Sequence, residues 1–429
     1  MFLIKEGDGG SLVQMVQLAL KRAGFNPYLV DGIFGGRTKS AVIDFQKSRG
    51  LTPDGIVGKN TFSALRPFLV GYTVHTVQRG ESFYSIASAL GSTVSLIENA
   101  NPNVSQYNLQ IGSSLIVPFN FSLVPTDIAY SSLLLELICE GLAVRFPFIS
   151  LEKIGYSVMS KPIIMLKIGK GENKVFFNAS HHANEWITTP MALNFVQEYA
   201  NSVTNATYLD GANGEYTFDN TTLYVAPMVN PDGVDLVTGA IMKDGELYYD
   251  VLKLANNYPL IPFPSGWKAN IRGVDLNLNY PAMWEQAREQ KYSQGFTKPG
   301  PRDFVGFAPL DQPESKAVYD ITNKIGFDLT LSLHTQGEEI YWRFGSYQPE
   351  GGRELGERMA LVSGYTLTDP EEFQSYAGYK DWFIMTYLKP GYTVEAGRGA
   401  NPLPIEKFND FYPAVRSILA VALSHFNPE

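Results

Sequence analysis

The chain has 429 residues, 45% of them hydrophobic and 18% charged, with 34 Lys and Arg against 43 Asp and Glu. This is the composition of a folded chain of several domains and excludes a disordered, collagenous or coiled-coil protein. The net charge of −9 lacks the basic footprint of a nucleic-acid binder. The one cysteine, Cys139, permits no internal disulfide and no multi-cysteine zinc site.

The N-terminus shows no basic stretch followed by an apolar one, so no secretory signal is read there. No run of 18 apolar residues predicts a membrane span. Residues 1–70 repeat themselves: Asp31-Gly-Ile-Phe-Gly-Gly-Arg-Thr38 recurs 23 residues later as Asp54-Gly-Ile-Val-Gly-Lys-Asn-Thr61. Asp-Gly predicts a tight turn, and the closing threonine is a candidate N-cap for helices over 39–46 and 62–65. Leu12, Val16 and Leu20 add a helical spacing before them. A small three-helix domain over 1–70 follows, which resembles the peptidoglycan-binding domain of bacterial wall hydrolases.

Residues 71–119 predict a strand, two helices and a strand. The segment 72–78 alternates with β-branched residues, Ser82 can cap a helix over 83–90, Gly91 ends it, and 93–100 and 113–118 follow as helix and strand. With Val-x-x-Gly80-Glu-Ser82-Phe-Tyr-Ser-Ile-Ala early, Asn-x-Asn101-Pro-Asn103 midway and Ile111-Gly-x-x-Leu-Ile-Val-Pro118 late, this βααβ segment resembles a LysM domain. The resemblance implies binding of N-acetylglucosamine-containing glycan strands through Gly80, Glu81 and Ser82 and through Asn101, Pro102 and Asn103. Residues 1–70 hold nine Lys and Arg against five Asp and Glu, which suits an anionic wall polymer.

Residues 119–126 read as a linker, and one large domain is assigned to 120–429. Helical patterns over 131–139, 191–200 and 314–325 alternate with apolar, β-rich runs over 163–168, 174–179, 222–229, 329–333 and 391–394. The expectation is an α/β fold with a sheet covered by helices on both faces. Three of the five histidines, His181, His182 and His334, stand directly after predicted strands, where ligands of open α/β sheets gather. A His and a Glu three residues apart at a strand-to-helix turn, joined by a His from another strand end, make the open His₂Glu set of catalytic zinc.

His182-Ala-Asn-Glu185, Asn230-Pro-Asp232-Gly233, Trp267-Lys-Ala-Asn-Ile-Arg272-Gly-Val-Asp-Leu-Asn277, His334 and Tyr392-Thr-Val-Glu395 occur in the order found in zinc carboxypeptidases of the carboxypeptidase A type, which this domain resembles. The resemblance implies a mixed sheet and one Zn²⁺ per chain, held by His182, Glu185 and His334. It implies Glu395 as general base and a cation for the oxyanion, supplied by Lys268 or Arg272, between which the sequence does not choose. His181 is read as structural.

Where exopeptidases of the family carry Asn-Arg to grip a terminal carboxylate, this chain has Asn277-Leu278-Asn279. The family's capping tyrosine falls near Phe373, with Tyr376 and Tyr379 as stand-ins. Together with the wall modules, His334-Thr335-Gln-Gly-Glu338-Glu339-Ile340 and Glu395-Ala-Gly-Arg398-Gly-Ala-Asn-Pro-Leu-Pro404 resemble the γ-D-glutamyl-L-diamino acid endopeptidases of spore-forming bacteria. Those cut peptidoglycan stem peptides between D-Glu and diaminopimelate. On this reading Asn277 and Thr335 contact substrate, Glu338 or Glu339 takes the diaminopimelate ammonium, and Arg398 takes its carboxylate. The expected location is the cell wall or the spore, with a cytoplasmic stage before release, and no nucleic-acid or membrane partner. Two other readings compete: a zinc carboxypeptidase for ordinary peptide C-termini, and a non-catalytic wall-binding protein.

Overall fold

The computed structural model describes residues 3–369 and 375–427. They divide into two units, Met1–Ile128 with Leu133–Ser150 and Ala129–Ser132 with Leu151–Glu429.

In the first unit the sequence repeat becomes a repeated polar clasp. Helices Ser11–Arg22, Gly36–Ser48 and Lys59–Val70 pack around Val16, Leu20, Val42, Phe45 and Leu65, all buried. The Nε2 of Gln46 reaches Asp54 Oδ1 (2.8 Å), the Ile56 carbonyl (3.0 Å) and Thr61 Oγ1 (3.0 Å), while its Oε1 accepts from the Gly55 amide (2.9 Å). Gln17 makes the same set with Asp31, Ile33, Thr38 and Gly32. The expected capping role of Thr38 and Thr61 is therefore corrected. Both lie inside their helices, whose N-caps are Gly35 and Gly58, because each threonine hydroxyl is drawn inward by a buried glutamine.

Strand Tyr72–Thr76 pairs antiparallel with Ser114–Pro118, and helices Phe83–Leu90 and Val94–Ala100 close over them. Ser82 caps the first helix in a reciprocal box with Ser85, and Gly91 ends it at φ 65°, as residues of these types should. Within the same unit, part of helix Ser132–Arg145 lies against the end of the third helix. A Cβ on Gly141 would fall 2.1 Å from the Val70 carbonyl oxygen, so only glycine permits that approach. Glu140 there pairs with Arg66 and accepts from the Tyr72 hydroxyl at 2.9 Å.

The second unit is built on an eight-stranded mixed sheet. Its order is Thr366–Thr368, Glu339–Tyr341, Gly391–Glu395, Leu329–His334, Asn173–Ala179, Thr221–Ala226, Pro162–Ile168 and Ser150–Tyr156. The four central strands run parallel, and Thr221–Ala226 and Leu329–His334 are buried at every position. Burial on both faces explains why they read as unbroken apolar runs. Antiparallel neighbours flank them on both sides. Parallel pairing carries the carboxyl ends of Asn173–Ala179, Leu329–His334 and Gly391–Glu395 to one edge of the sheet. Among the described residues no helix is long and apolar enough to cross a membrane.

Gln46→Leu should strand the buried Gly55 amide and remove the donor to Thr61 Oγ1 and the Ile56 carbonyl. An unmade buried hydrogen bond costs about 1–3 kcal/mol, so hydrogen exchange in the full chain should show amides of 51–65 losing protection about 5- to 100-fold. Unchanged protection there would deny the clasp its role.

Candidate metal and catalytic site

Strand Asn173–Ala179 runs through Ser180 and His181 into a single 3₁₀ turn, Ala183–Glu185, with His182 at its N-cap. At three residues per turn, positions i and i+3 fall on the same side, so His182 and Glu185 face one point. Strand Leu329–His334 ends at that point. His182 Nδ1 is 2.9 Å from Glu185 Oε1, His334 Nδ1 is 2.9 Å from Glu185 Oε2, and the two Nδ1 atoms are 3.1 Å apart. One donor atom from each residue lies within 4.8 Å of the others, and all three side chains are buried.

This donor set fits a zinc ion. Two ring nitrogens turned toward one another beside a carboxylate can converge on one cation, and His₂Glu leaves a position open for water. Behind the ligands stands Asp275, whose Oδ1 lies 3.0 Å from His182 Nε2. It fixes the ring and its tautomer as carboxylates behind metal-bound histidines do. Asp275 is buried, but the His182 ring and the Lys268 ammonium outweigh that cost and hold its carboxyl well below the usual range.

Asn230 of the Asn-Pro-Asp-Gly turn braces the floor. Its Nδ2 donates to the carbonyls of His181 (3.1 Å) and Ala269 (3.0 Å), tying the ligand turn to the loop that carries Lys268. His181 itself faces the Tyr280 hydroxyl at 3.0 Å and is fully buried, with burial pushing its pKa well down.

Glu395 ends strand Gly391–Glu395 in register with His334. It shares a cleft of about 570 Å³ with Lys268, Arg302, Thr335, Gln336, Tyr341 and Asn401. Burial, with the charge of Glu185 beside it, pushes the Glu395 carboxyl up to about 8; a dication in the site acts in the opposite sense. Lys268 Nζ lies 3.2 Å from Glu185 Oε1. Burial disfavours its charge, yet Glu185 and Asp275 more than restore it.

Arg272 is different. It is exposed and absent from the cleft lining, because the Asn270–Gly273 turn points it away from the ligands, so the geometry favours Lys268 of the two cations. Thr335 donates its amide to Glu185 Oε2 (3.2 Å) and its hydroxyl to Asn401 Oδ1 (2.7 Å).

Several expected contact residues are engaged elsewhere. Asn277 Oδ1 accepts from the Tyr379 amide (3.0 Å) and so starts helix Tyr379–Tyr387. Tyr379 is fully buried, its hydroxyl against Thr322, and is no mobile cap. Tyr376 packs with Leu278 on the apolar cluster of Trp284, Ala287, Val305 and Ala377. Phe373 lies outside the described residues. Glu338 and Arg398 pair with each other at 2.7 Å, while Glu339 Oε2 accepts from the Tyr341 hydroxyl at 2.5 Å.

In the LysM segment Asn101 is buried. Its amide bonds the Ile97 and Ile116 carbonyls and the Ile116 amide, which withdraws it from solvent and from a sugar. Glu81 pairs with His75 at 2.7 Å. Ser82 serves as the helix cap, while Gly80, Pro102 and Asn103 are exposed.

Residues that sequence reasoning did not single out are Asp275, Arg302, Tyr341 and Asn401. Asp275 and Asn401 lie inside segments that carried the family resemblance; Arg302 and Tyr341 lie in none.

Comparison with known proteins agrees with this geometry. The zinc carboxypeptidase family matches residues 135–417, a peptidoglycan binding domain matches 9–65 and a LysM domain matches 75–118. The chain is 41% identical over 284 residues to γ-D-glutamyl-L-diamino acid endopeptidase 1 of Lysinibacillus sphaericus, covering 66% of this chain and 69% of that protein. An uncharacterised Bacillus subtilis protein is 43% identical over 65% of this chain and 73% of its own length. Among solved structures, thrombin activatable fibrinolysis inhibitor shares the fold at a TM-score of 0.54 and 19% identity, over 70% of this chain and 77% of its own.

His334→Ala should abolish stoichiometric zinc in the purified protein. Asp275→Asn should weaken zinc affinity about 10- to 100-fold, the usual cost of losing such a partner. Metal analysis after dialysis against graded chelator reads both, and full zinc retention by His334→Ala would refute the ligand assignment.

Proposed function

This chain belongs to the zinc carboxypeptidase family, and on that premise we propose that it hydrolyses the γ-D-Glu–diaminopimelate bond of peptidoglycan stem peptides. It is a zinc metallopeptidase that also carries a peptidoglycan-binding domain and a LysM domain, and these associate it with the cell wall. The place of action we infer is that wall, the spore's included. Residues 1–70, 71–119 and 120–429 are the working division into two wall-binding modules and a peptidase.

The observation that carries the reading is at Leu278. Metal donors and base are complete, yet the position from which exopeptidases grip a terminal carboxylate holds a leucine packed into an apolar cluster. The 41% identity to an endopeptidase of this specificity supports it.

Zinc held by His182, Glu185 and His334 would polarise the scissile carbonyl and acidify the attacking water. Glu395, on the cleft wall beside them, takes that water's proton and delivers it to the leaving amine. Lys268 stands ready for the negative charge that develops on the carbonyl oxygen, an interaction made only in the transition state. Thr335 and Asn401 hold Glu185, and Asp275 holds the His182 ring, so that neither turns during the reaction. Glu338 and Arg398 satisfy each other, which leaves Glu339, positioned by Tyr341 at the cleft, as the acid we assign to the diaminopimelate ammonium.

Glu395→Gln should keep zinc and the fold but lower kcat about 10²- to 10⁴-fold, because an amide cannot accept the proton. The substrate test is mass spectrometry of products from L-Ala-γ-D-Glu-diaminopimelate, beside a hippuryl carboxypeptidase substrate. Release of diaminopimelate from the first alone supports the reading; cleavage of the second alone replaces it with an ordinary carboxypeptidase.

The inactive Glu395→Gln chain should also sediment with insoluble peptidoglycan. Its retention should fall when N-acetylglucosamine oligomers compete for the LysM domain, and indifference to them would remove that domain from the binding.

A further inference from the structure

The cleft contains two cations, and the oxyanion needs only one. Lys268 stands against Glu185. Arg302 lines the same cleft and comes from a different loop, which is fastened to the site at both of its neighbours. The Pro301 carbonyl accepts from the amides of Lys268 (2.7 Å) and Ala269 (3.0 Å), and the Asp303 amide donates to Asp275 Oδ2 (3.3 Å). Arg302 is thus held between the loop of the oxyanion cation and the carboxylate behind His182.

Its own side chain is only partly used. Nε donates to Asp303 Oδ2 at 2.6 Å, and among the described residues Nη1 and Nη2 have no protein partner. Asp303 also takes Lys291 Nζ at 2.6 Å, so its charge is shared between two cations. The Arg302 side chain is 43% exposed. What remains is a guanidinium edge held at the cleft wall with its two Nη groups uncommitted, and such a fork suits a carboxylate bidentately.

The chemistry of a side-chain-linked glutamyl bond supplies that carboxylate. In a γ-glutamyl substrate the scissile carbonyl is the side-chain one, and a free α-carboxylate sits on the same residue, separated from it by three carbons. In an α-linked residue the α-carbonyl is itself the one being cut, so a carboxylate at that separation exists only where the side chain is acidic; in a γ-linked isoglutamine it is replaced by an uncharged amide.

We propose that Arg302 binds the free α-carboxylate of the residue that donates the scissile carbonyl, and thereby favours γ-linked glutamyl residues over their amidated forms and over α-linked residues with uncharged side chains. This rests on the γ-D-glutamyl reading above and adds the residue that enforces it.

The test compares L-Ala-γ-D-Glu-diaminopimelate with the same tripeptide carrying D-isoglutamine, whose α-carboxylate is an amide, using wild-type enzyme and Arg302→Gln, with zinc content and melting temperature of both proteins. A hydrogen bond to a charged group contributes about 10- to 100-fold. Wild-type kcat/KM should therefore favour the free carboxylate by that factor. Arg302→Gln should lose most of it on the first substrate and little on the second, with zinc and melting temperature unchanged.

Equal losses on both substrates would overturn the proposal, moving Arg302 to a carboxylate of the leaving residue. Loss of zinc or of the melting transition would overturn it in favour of a purely structural role for the Arg302–Asp303 pair. A wild-type enzyme that cuts both peptides equally overturns the proposal while the γ-glutamyl reading stands. One that cuts neither fails that reading itself.

Discussion

Two imidazole nitrogens 3.1 Å apart, both facing one buried carboxylate, form a donor set that suits a bound cation. Much of the peptidase unit can be understood as what it takes to build that point. The donors come from the ends of neighbouring strands, and their carboxyl ends coincide only if the strands are parallel. Parallel neighbours need long crossover connections, usually helical, and the intervening helices bury the strands on both faces. Asp275, Asn230, Thr335 and Asn401 then hold the donors in place, since buried polar groups are stable only when partnered. Lys268 Nζ, 3.2 Å from Glu185 Oε1, adds a fixed positive charge beside the donors.

Legibility from sequence followed burial. The central strands announced themselves because burial on both faces leaves continuous apolar runs, and the LysM helices because Ser82 and Gly91 are unambiguous caps. The strands that went unread, Ser150–Tyr156, Glu339–Tyr341 and Thr366–Thr368, lie at or next to the sheet edges. The first is mostly exposed and the others are three residues long. Such segments have no periodicity to detect.

The threonines of the repeat were read as caps because local chemistry favours that. The structure spends them on Gln17 and Gln46, long-range partners that no local pattern reveals. The same limit applied at the site. His182, Glu185, His334 and Glu395 were legible through motif order and strand ends. Arg302 became visible only when backbone hydrogen bonds brought residues 301–303 beside Lys268. Lys268 and Arg272, inseparable as types in a string, differ in the fold, where Lys268 lines the cleft beside Glu185 and Arg272 is exposed.

The placement of the two cleft cations makes sense of which residue type each one is. Of the two cations that precede Gly-Val-Asp, Lys268 and Arg272, the one that lines the cleft is a lysine. Lysine is a compact point charge without arginine's planar fork, adequate for a single developing oxygen but poor at holding a carboxylate bidentately. Arginine at both positions would put two forks in one cleft, each able to capture the substrate carboxylate in the wrong register. With Lys268 against Glu185 and the fork on the neighbouring loop, the proposed roles of charge stabilisation and carboxylate recognition fall to different side chains. A γ-linked residue then has one arrangement that satisfies both, with its carbonyl oxygen toward Lys268 and its α-carboxylate toward Arg302. Leu278 works in the same sense, since it removes a competing carboxylate site from the other side of the scissile bond.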